Sequence, residues 1–166
     1  FTIGLPEKCI KAGLHNFKGV QRRFSHLFDH NKISFYDDYA HHPTEISSVL
    51  SGVEKVYKNM EIVCVFQPHR ISRVIRLKRE FSKCFKKADT VLLCPIYTAN
   101  EKLRLNFSYH SFAKLIIKNS NVRLIQVEDE LQLQKFIKQN VFGKKIYIGM
   151  GAGSISNWMK NLKNIF

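Results

Sequence analysis

Cysteine is scarce and scattered in this chain: Cys9, Cys64, Cys84 and Cys94 stand singly, with no Cys-x-x-Cys pair. That usage excludes a zinc ribbon and the disulfide framework of a small secreted domain, and it leads to the expectation of a reducing, cytoplasmic setting. Long apolar runs are lacking too. The best of them, Thr90 to Ile96, contains Pro95 and stops at Tyr97, well short of the roughly 18 to 20 residues of a membrane span. No Gly-x-x-x-x-Gly-Lys-Ser/Thr loop occurs, so the chain cannot cradle a nucleoside triphosphate in that manner by itself. No Gly-x-Ser-x-Gly elbow marks an activated nucleophile. The chain opens at Phe1 without a methionine, which gives the expectation that it begins inside a longer polypeptide.

Acidic residues are few, 13 against 27 Lys plus Arg, leaving a net charge of +14. Such a surplus favours polyanions. Yet no basic block reaches the roughly five to eight residues of a dedicated nucleic-acid patch; Lys86-Lys87 and Lys144-Lys145 are among the densest pairs. A stand-alone basic module binding nucleic acid or another polyanion is therefore the alternative reading. At 166 residues, with 45% hydrophobic and 24% charged residues, a single globular domain is expected, burying about 68 to 70% of its unfolded surface.

From residue 33 onward, short β-branched or aromatic runs alternate with amphipathic stretches, the pattern of parallel strands crossed over by helices. Strands are expected at Ile33–Asp37, Ile62–Phe66, Thr90–Ile96, Val122–Val127 and Lys145–Met150. Helices are expected at Pro43–Tyr57, Ser72–Lys86, Tyr109–Lys118, Glu128–Gln139 and Ser154–Leu162. Pro43 suits a first helical position, Thr44 and Glu45 suit the first turn, and Ile46, Val49, Leu50 and Val53 form the buried stripe. Upstream, a short helix around Glu7 to Phe17 precedes a strand over residues 19 to 28, turned by Asp29 to Lys32 into Ile33. The domain boundary is placed near Asn16 to Val20.

Ligands of open α/β sheets bind at the carboxyl ends of the parallel strands. The chemically dense segments all fall there: Asp38 to His42, Gln67 to Arg73, Tyr97 to Glu101 and Gly149 to Ser154. Asp37 and Asp38 point to opposite faces of a strand, so one pairs locally and the other, Asp38, is free to hold a ribose or a cation. His41 and His42 read as a proton shuttle, metal ligands, anion-binding groups or backbone-bonded loop residues, and with no third ligand nearby a metal site is not expected. Arg70 and Arg73, one helical turn apart beside His69, can fork onto a carboxylate or phosphate. Arg22 and Arg23, placed on the lead-in strand, are expected to point to opposite faces. The Gly149-Met-Gly-Ala-Gly-Ser run comes too late in the chain for a dinucleotide fingerprint and reads as a tight turn at a cleft wall.

Spaced motifs then converge. Phe17-Lys-Gly-Val-Gln-Arg-Arg-Phe24, Asp37-Asp-Tyr-Ala-His-His-Pro-Thr-Glu45, Phe66-Gln-Pro-His-Arg70 with Arg73, Ile96-Tyr-Thr-Ala-Asn-Glu101 and Met150-Gly-Ala-Gly-Ser154 resemble, in order, the carboxyl-terminal part of the Mur ligase family, in its UDP-N-acetylmuramate:L-alanine ligase branch. The resemblance covers essentially the whole chain. It implies a Rossmann-like, mostly parallel sheet flanked by helices over residues 18 to 166. Residues 1 to 17 would then be the tail of a central ATPase domain, itself preceded by a domain for the UDP substrate. It further implies ATP and Mg2+, the latter held mainly by the central domain, and amide formation between L-alanine and UDP-N-acetylmuramate through an acyl phosphate.

Carried over residue by residue, the resemblance makes Arg23 and Asp38 ATP contacts, Asp38 at the ribose. Tyr39, His41, His69, Arg70 and Arg73 become the alanine side, with Tyr39 against the methyl group and the arginines on the carboxylate. Pro95 and Asn100 depart from the acidic residue and the glycine usual around the Tyr-x-Ala-x-Glu motif. Ser154 stands where the family commonly has aspartate.

Overall fold

The computed structural model describes residues 4–16, 20–102 and 107–166. Six strands, β1 (Ser25–His30), β2 (Ile33–Asp38), β3 (Glu61–Phe66), β4 (Thr90–Leu93), β5 (Arg123–Gln126) and β6 (Lys145–Met150), form one sheet in the order β1-β2-β6-β3-β4-β5. Only the β1–β2 hairpin is antiparallel; the other neighbours run parallel. The α/β, mostly parallel fold expected from the alternating pattern is the fold observed.

Period-2 alternation builds two cores. Ile62, Cys64 and Phe66 of β3, Val91 and Leu93 of β4, and Ile146, Ile148 and Met150 of β6 face α2 (Pro43–Val56) and α5 (Tyr109–Ser120). Val63, Val65, Leu92 and Tyr147 face the other way, onto α6 (Glu130–Gln139) and α7 (Ile155–Asn161). Both faces are buried, which is why these strands read as near-continuous apolar runs.

Helix α2 starts where its chemistry places it. Pro43 opens it, the His42 ring accepts from Thr44 N, and Glu45 Oε2 accepts from the backbone of His41 at 3.0 Å and His42 at 3.1 Å, a capping box that satisfies otherwise orphaned donors. Pro43, Ile46, Leu50 and Val53 are buried, and Val49 packs partly against the same core.

Several boundaries differ from expectation. The third expected strand stops at Leu93, because Pro95 has no N–H for the ladder and Tyr97 turns back to bridge His69 instead. The helix expected over 72–86 is two short pieces, α3 (Ile71–Arg76) and α4 (Lys78–Phe81), broken at Leu77. Beyond Phe81 the Ser120 hydroxyl takes the Phe85 N–H and donates to the Ser82 carbonyl, so α5 replaces the helical ladder. The lead-in strand begins only at Ser25, because Arg22 and Phe24 hold left-handed backbone (φ 59 and 48). Its hairpin turn is Asn31-Lys32, with Asp29 and His30 still in the strand. α1 (Glu7–His15) ends two residues before Phe17; residues 17 to 19, which include most of the expected domain boundary, lie outside the described residues.

Candidate functional site

Four loops meet at the carboxyl edge of the sheet, and backbone hydrogen bonds fasten them to one another. Tyr39 N donates to Arg22 O at 2.7 Å and Gly151 N to Asp38 O at 3.3 Å. Gln67 N donates to Met150 O at 3.0 Å, Tyr97 N to Pro68 O at 2.9 Å and Arg70 N to Tyr97 O at 3.0 Å. Residues distant in sequence thus share one rigid rim, as open α/β sheets place their ligand sites.

A row of rings runs along this rim. Tyr39 and His41 meet edge to face at 5.1 Å, His41 and His69 at 5.9 Å, and His69 stacks on Tyr97 at 5.6 Å and 11°. The His41 Nδ1 lies 2.8 Å from the Tyr39 carbonyl, which holds the ring in the row. Arg73 Nη1 lies 3.4 Å from both the Nδ1 and the carbonyl oxygen of His69. Burial first, then the charges of Arg73, His41 and Arg70, lower the His69 pKa below its ordinary value, so this imidazole is neutral at pH 7.

Beside the row, Arg70, Arg73, Arg76 and Ser72 line a cavity of about 220 Å³. Arg70 sits at the helix mouth in left-handed backbone, φ 68, with its Nε 3.9 Å from Glu101 Oε1. Glu101 accepts from the Ser72 N–H at 3.0 Å and its hydroxyl at 2.7 Å. Three arginines lining a small polar cavity suit an anion. Arg76 was not singled out in the sequence, although the spacing of 70, 73 and 76 carries the signal.

Asp38 and Asp37 divide their work. Asp38 is buried, accepting from Phe24 N and Ala40 N at 2.7 Å each; each carboxylate oxygen retains a further acceptor position. Asp37 accepts from the Ser156 hydroxyl at 2.6 Å and lies 3.4 Å from Arg22 Nε. Arg23 is exposed on the turn before β1, near enough to Glu45 to help hold that carboxylate below its usual range. Tyr39, His41, His69 and Arg73 are therefore joined in one contact chain with Arg70 at its end. Asp38 lies behind it and Arg23 outside it.

The late glycine run packs against this wall. A Cβ on Gly151 would come within 2.7 Å of the Gln67 carbonyl, and one on Gly153 within 2.5 Å of both Gln67 Oε1 and Tyr97 Cγ. Gln67, 3% exposed, donates to Ser154 Oγ at 3.0 Å and accepts from Ile155 N at 3.0 Å. Ser154 thus serves as a bracket for Gln67. Asn100 follows Ala99 in left-handed backbone, φ 67 and 50, a conformation glycine takes freely and asparagine tolerates. Pro95 ends the β4 ladder.

Among the described residues, no group of three His, Cys, Asp or Glu side chains is arranged to hold a metal ion. Among them also, no helix is long and apolar enough to cross a membrane.

Comparison with known proteins places this architecture. The family described as "Mur ligase, glutamate ligase domain" matches residues 22–153. A UDP-N-acetylmuramate–L-alanine ligase of Pelagibacter ubique is 63% identical over 164 residues, covering 99% of this chain and 35% of that protein. One from Brachyspira hyodysenteriae is 41% identical over 155 residues, covering 92% of this chain and 33% of its own length. The chain thus spans about a third of the length of the curated relatives it matches. Among solved structures, the UDP-N-acetylmuramate-alanine ligase of Thermotoga maritima superposes with a TM-score of 0.66 at 28% identity, covering 92% of this chain and 31% of that one. A murein peptide ligase from Psychrobacter arcticus shares the fold at a TM-score of 0.72 and 20% identity, covering 98% of this chain and 33% of that one. With the family matched across β1 to β6 and all four loops of the rim, the chain belongs to the Mur ligase family.

Proposed function

We propose that this chain is the carboxyl-terminal domain of a cytoplasmic, ATP-dependent ligase that joins L-alanine to UDP-N-acetylmuramate, and that its rim holds the alanine. The observation that carries the reading is the ring row of Tyr39, His41 and His69 ending at an arginine-lined cavity of about 220 Å³. Identity to a named alanine ligase along nearly the whole chain supports it.

In this reading Arg73, with Arg70 at the cavity mouth, neutralises the alanine carboxylate by charge-assisted hydrogen bonds. Tyr39 closes on the methyl group. The neutral His69 keeps Arg73 aimed without adding a further positive charge. Held by its carboxylate and its small side chain, the alanine presents its amine outward to the activated muramoyl carboxyl group, a gain of orientation rather than of acid–base chemistry.

ATP, when bound, supplies the phosphoryl group that activates the muramoyl carboxylate as an acyl phosphate, with ADP and phosphate released. Toward it this chain offers Asp38, whose two fixed oxygens suit a ribose hydroxyl, and Arg23. In this reading Mg2+ is held mainly by the central domain, as the family resemblance implies. Helix α1 supports that division: none of its residues is buried, and Leu5, Ile10 and Leu14 are exposed around it. That apolar face fits the tail of a preceding domain.

The test is ligation by the full-length protein from the same gene. Labelled alanine, UDP-N-acetylmuramate and ATP should give the alanyl product with stoichiometric ADP, while residues 1 to 166 alone give none. A full-length protein that ligates another amino acid and ignores alanine would overturn the reading.

A further inference from the structure

The family resemblance gives Arg23 a role and Arg22 none, yet Arg22 has the denser surroundings. Its guanidinium carbon lies 4.7 Å from the centroid of the Tyr39 ring. Its Nη2 donates to the Gly151 carbonyl, and its Nε lies 3.4 Å from Asp37 Oδ2. Its own carbonyl accepts from Tyr39 N at 2.7 Å. All this is done from left-handed backbone, φ 59, which a long side chain rarely adopts.

The arrangement is a poor way to stabilise a fold. Asp37 is 1% exposed, and both Arg22 Nε and Asp37 Oδ1 are buried without a hydrogen-bond partner. The pair is therefore an electrostatic contact without the geometry that offsets desolvation, and a buried ion pair of that kind contributes little net stability. What it achieves is placement. Asp37, itself fixed by Ser156, holds the planar guanidinium between the Tyr39 ring and the carbonyl of the glycine run.

We infer that Arg22 is a positioning residue for the amino-acid side of the site, setting the plane of Tyr39 and tying it to the loop after β6. This rests on the proposed function, in which Tyr39 closes on the alanine methyl group. It makes Arg22 part of what keeps the pocket small, through a ring it stacks on rather than through contact with substrate.

The experiment uses the full-length enzyme and Arg22→Lys, which keeps the charge opposite Asp37 but loses the planar face and the fork. The KM for alanine should rise about tenfold, within the span of a lost, partly desolvated cation–π contact, with the KM for ATP held within about twofold. In a Tyr39→Leu background the same change should add less than about twofold, since coupled residues are not additive. Parallel rises in both KM values, or an undiminished effect beside Tyr39→Leu, would show a merely structural arginine and overturn the inference. Should Arg22→Lys fail to fold, Asp37→Asn removes the counter-charge without touching Tyr39. It should raise the alanine KM selectively, and an unchanged KM there overturns the inference as well. Wild-type enzyme that does not ligate alanine would sink the proposed function and this inference together. Wild type that does, beside an indistinguishable Arg22→Lys, sinks this inference alone.

Discussion

One chemical change, glycine to alanine, should have opposite signs at two places in this chain. In Gly153→Ala the new Cβ meets Tyr97 Cγ at 2.5 Å, Tyr97 Cβ at 2.7 Å and Gln67 Oε1 at 2.5 Å. None of these can yield cheaply. Tyr97 is stacked on His69, and the Gln67 oxygen holds the Ile155 N–H at 3.0 Å. Overpacking of this kind costs about 1 to 3 kcal/mol, which for a chain of this size lowers Tm by about 2 to 12 °C. Gly52 lies inside α2, and a Cβ there meets nothing within 4 Å. Gly52→Ala should therefore stabilise by about 0.5 to 1 kcal/mol through helix propensity and unfolded-state entropy, raising Tm by about 1 to 4 °C. Thermal unfolding of residues 1 to 166 followed by circular dichroism gives both numbers. A neutral Gly153→Ala would show that the wall of Tyr97 and Gln67 is loose, and the argument that the glycine run packs against it would fail.

Three further outcomes follow from the site. Glu45 is pushed up by burial but pulled further down by the His41 and His42 N–H groups, so its folded pKa lies below its ordinary 4.5. Its stabilisation is present above that value and lost as pH falls through the folded one, so the Tm gap between wild type and Glu45→Gln should narrow from pH 7 to pH 3; a constant gap would refute the cap. The His69 ring should titrate by NMR below its ordinary 6.5, contributing stability above that pH that shrinks as pH falls toward the folded pKa; an ordinary or raised midpoint would contradict its burial and its place against Arg73. Asp38→Ala should strand the Phe24 and Ala40 N–H groups at about 1 to 3 kcal/mol each, visible as a lower urea midpoint with an unchanged m-value, and a loss below about 1 kcal/mol in total would place the carboxylate in solvent.

The sequence displays best what local chemistry decides. β6 reads correctly to the residue because Lys145–Met150 is one apolar run paired on both sides, and α2 reads correctly at its start because Pro43 and Glu45 form a cap within four residues. The early stop of α4 at Phe81 is not legible, since Ser120 reaches the 82–85 segment from another helix. Alternation misplaces Arg22 and Arg23 because strand logic does not hold where Arg22 and Phe24 adopt positive φ. The four rim loops were legible as a group, being chemically dense and at strand ends. Their assembly into a ring row was not, because the His69–Tyr97 stack depends on a bridge between segments 28 residues apart. The proposed division of these residues between alanine and ATP rests on family resemblance, not on spacing.

The central claim, that Arg73 and its neighbours hold the carboxylate of alanine, is tested most directly by steady-state kinetics of Arg73→Ala in the full-length enzyme. Loss of one charge-assisted contact of about 1.5 to 3 kcal/mol predicts an alanine KM raised about 10- to 150-fold with the ATP KM moved by less than about twofold. An alanine KM and turnover equal to wild type would make Arg73 a surface charge and contradict the account.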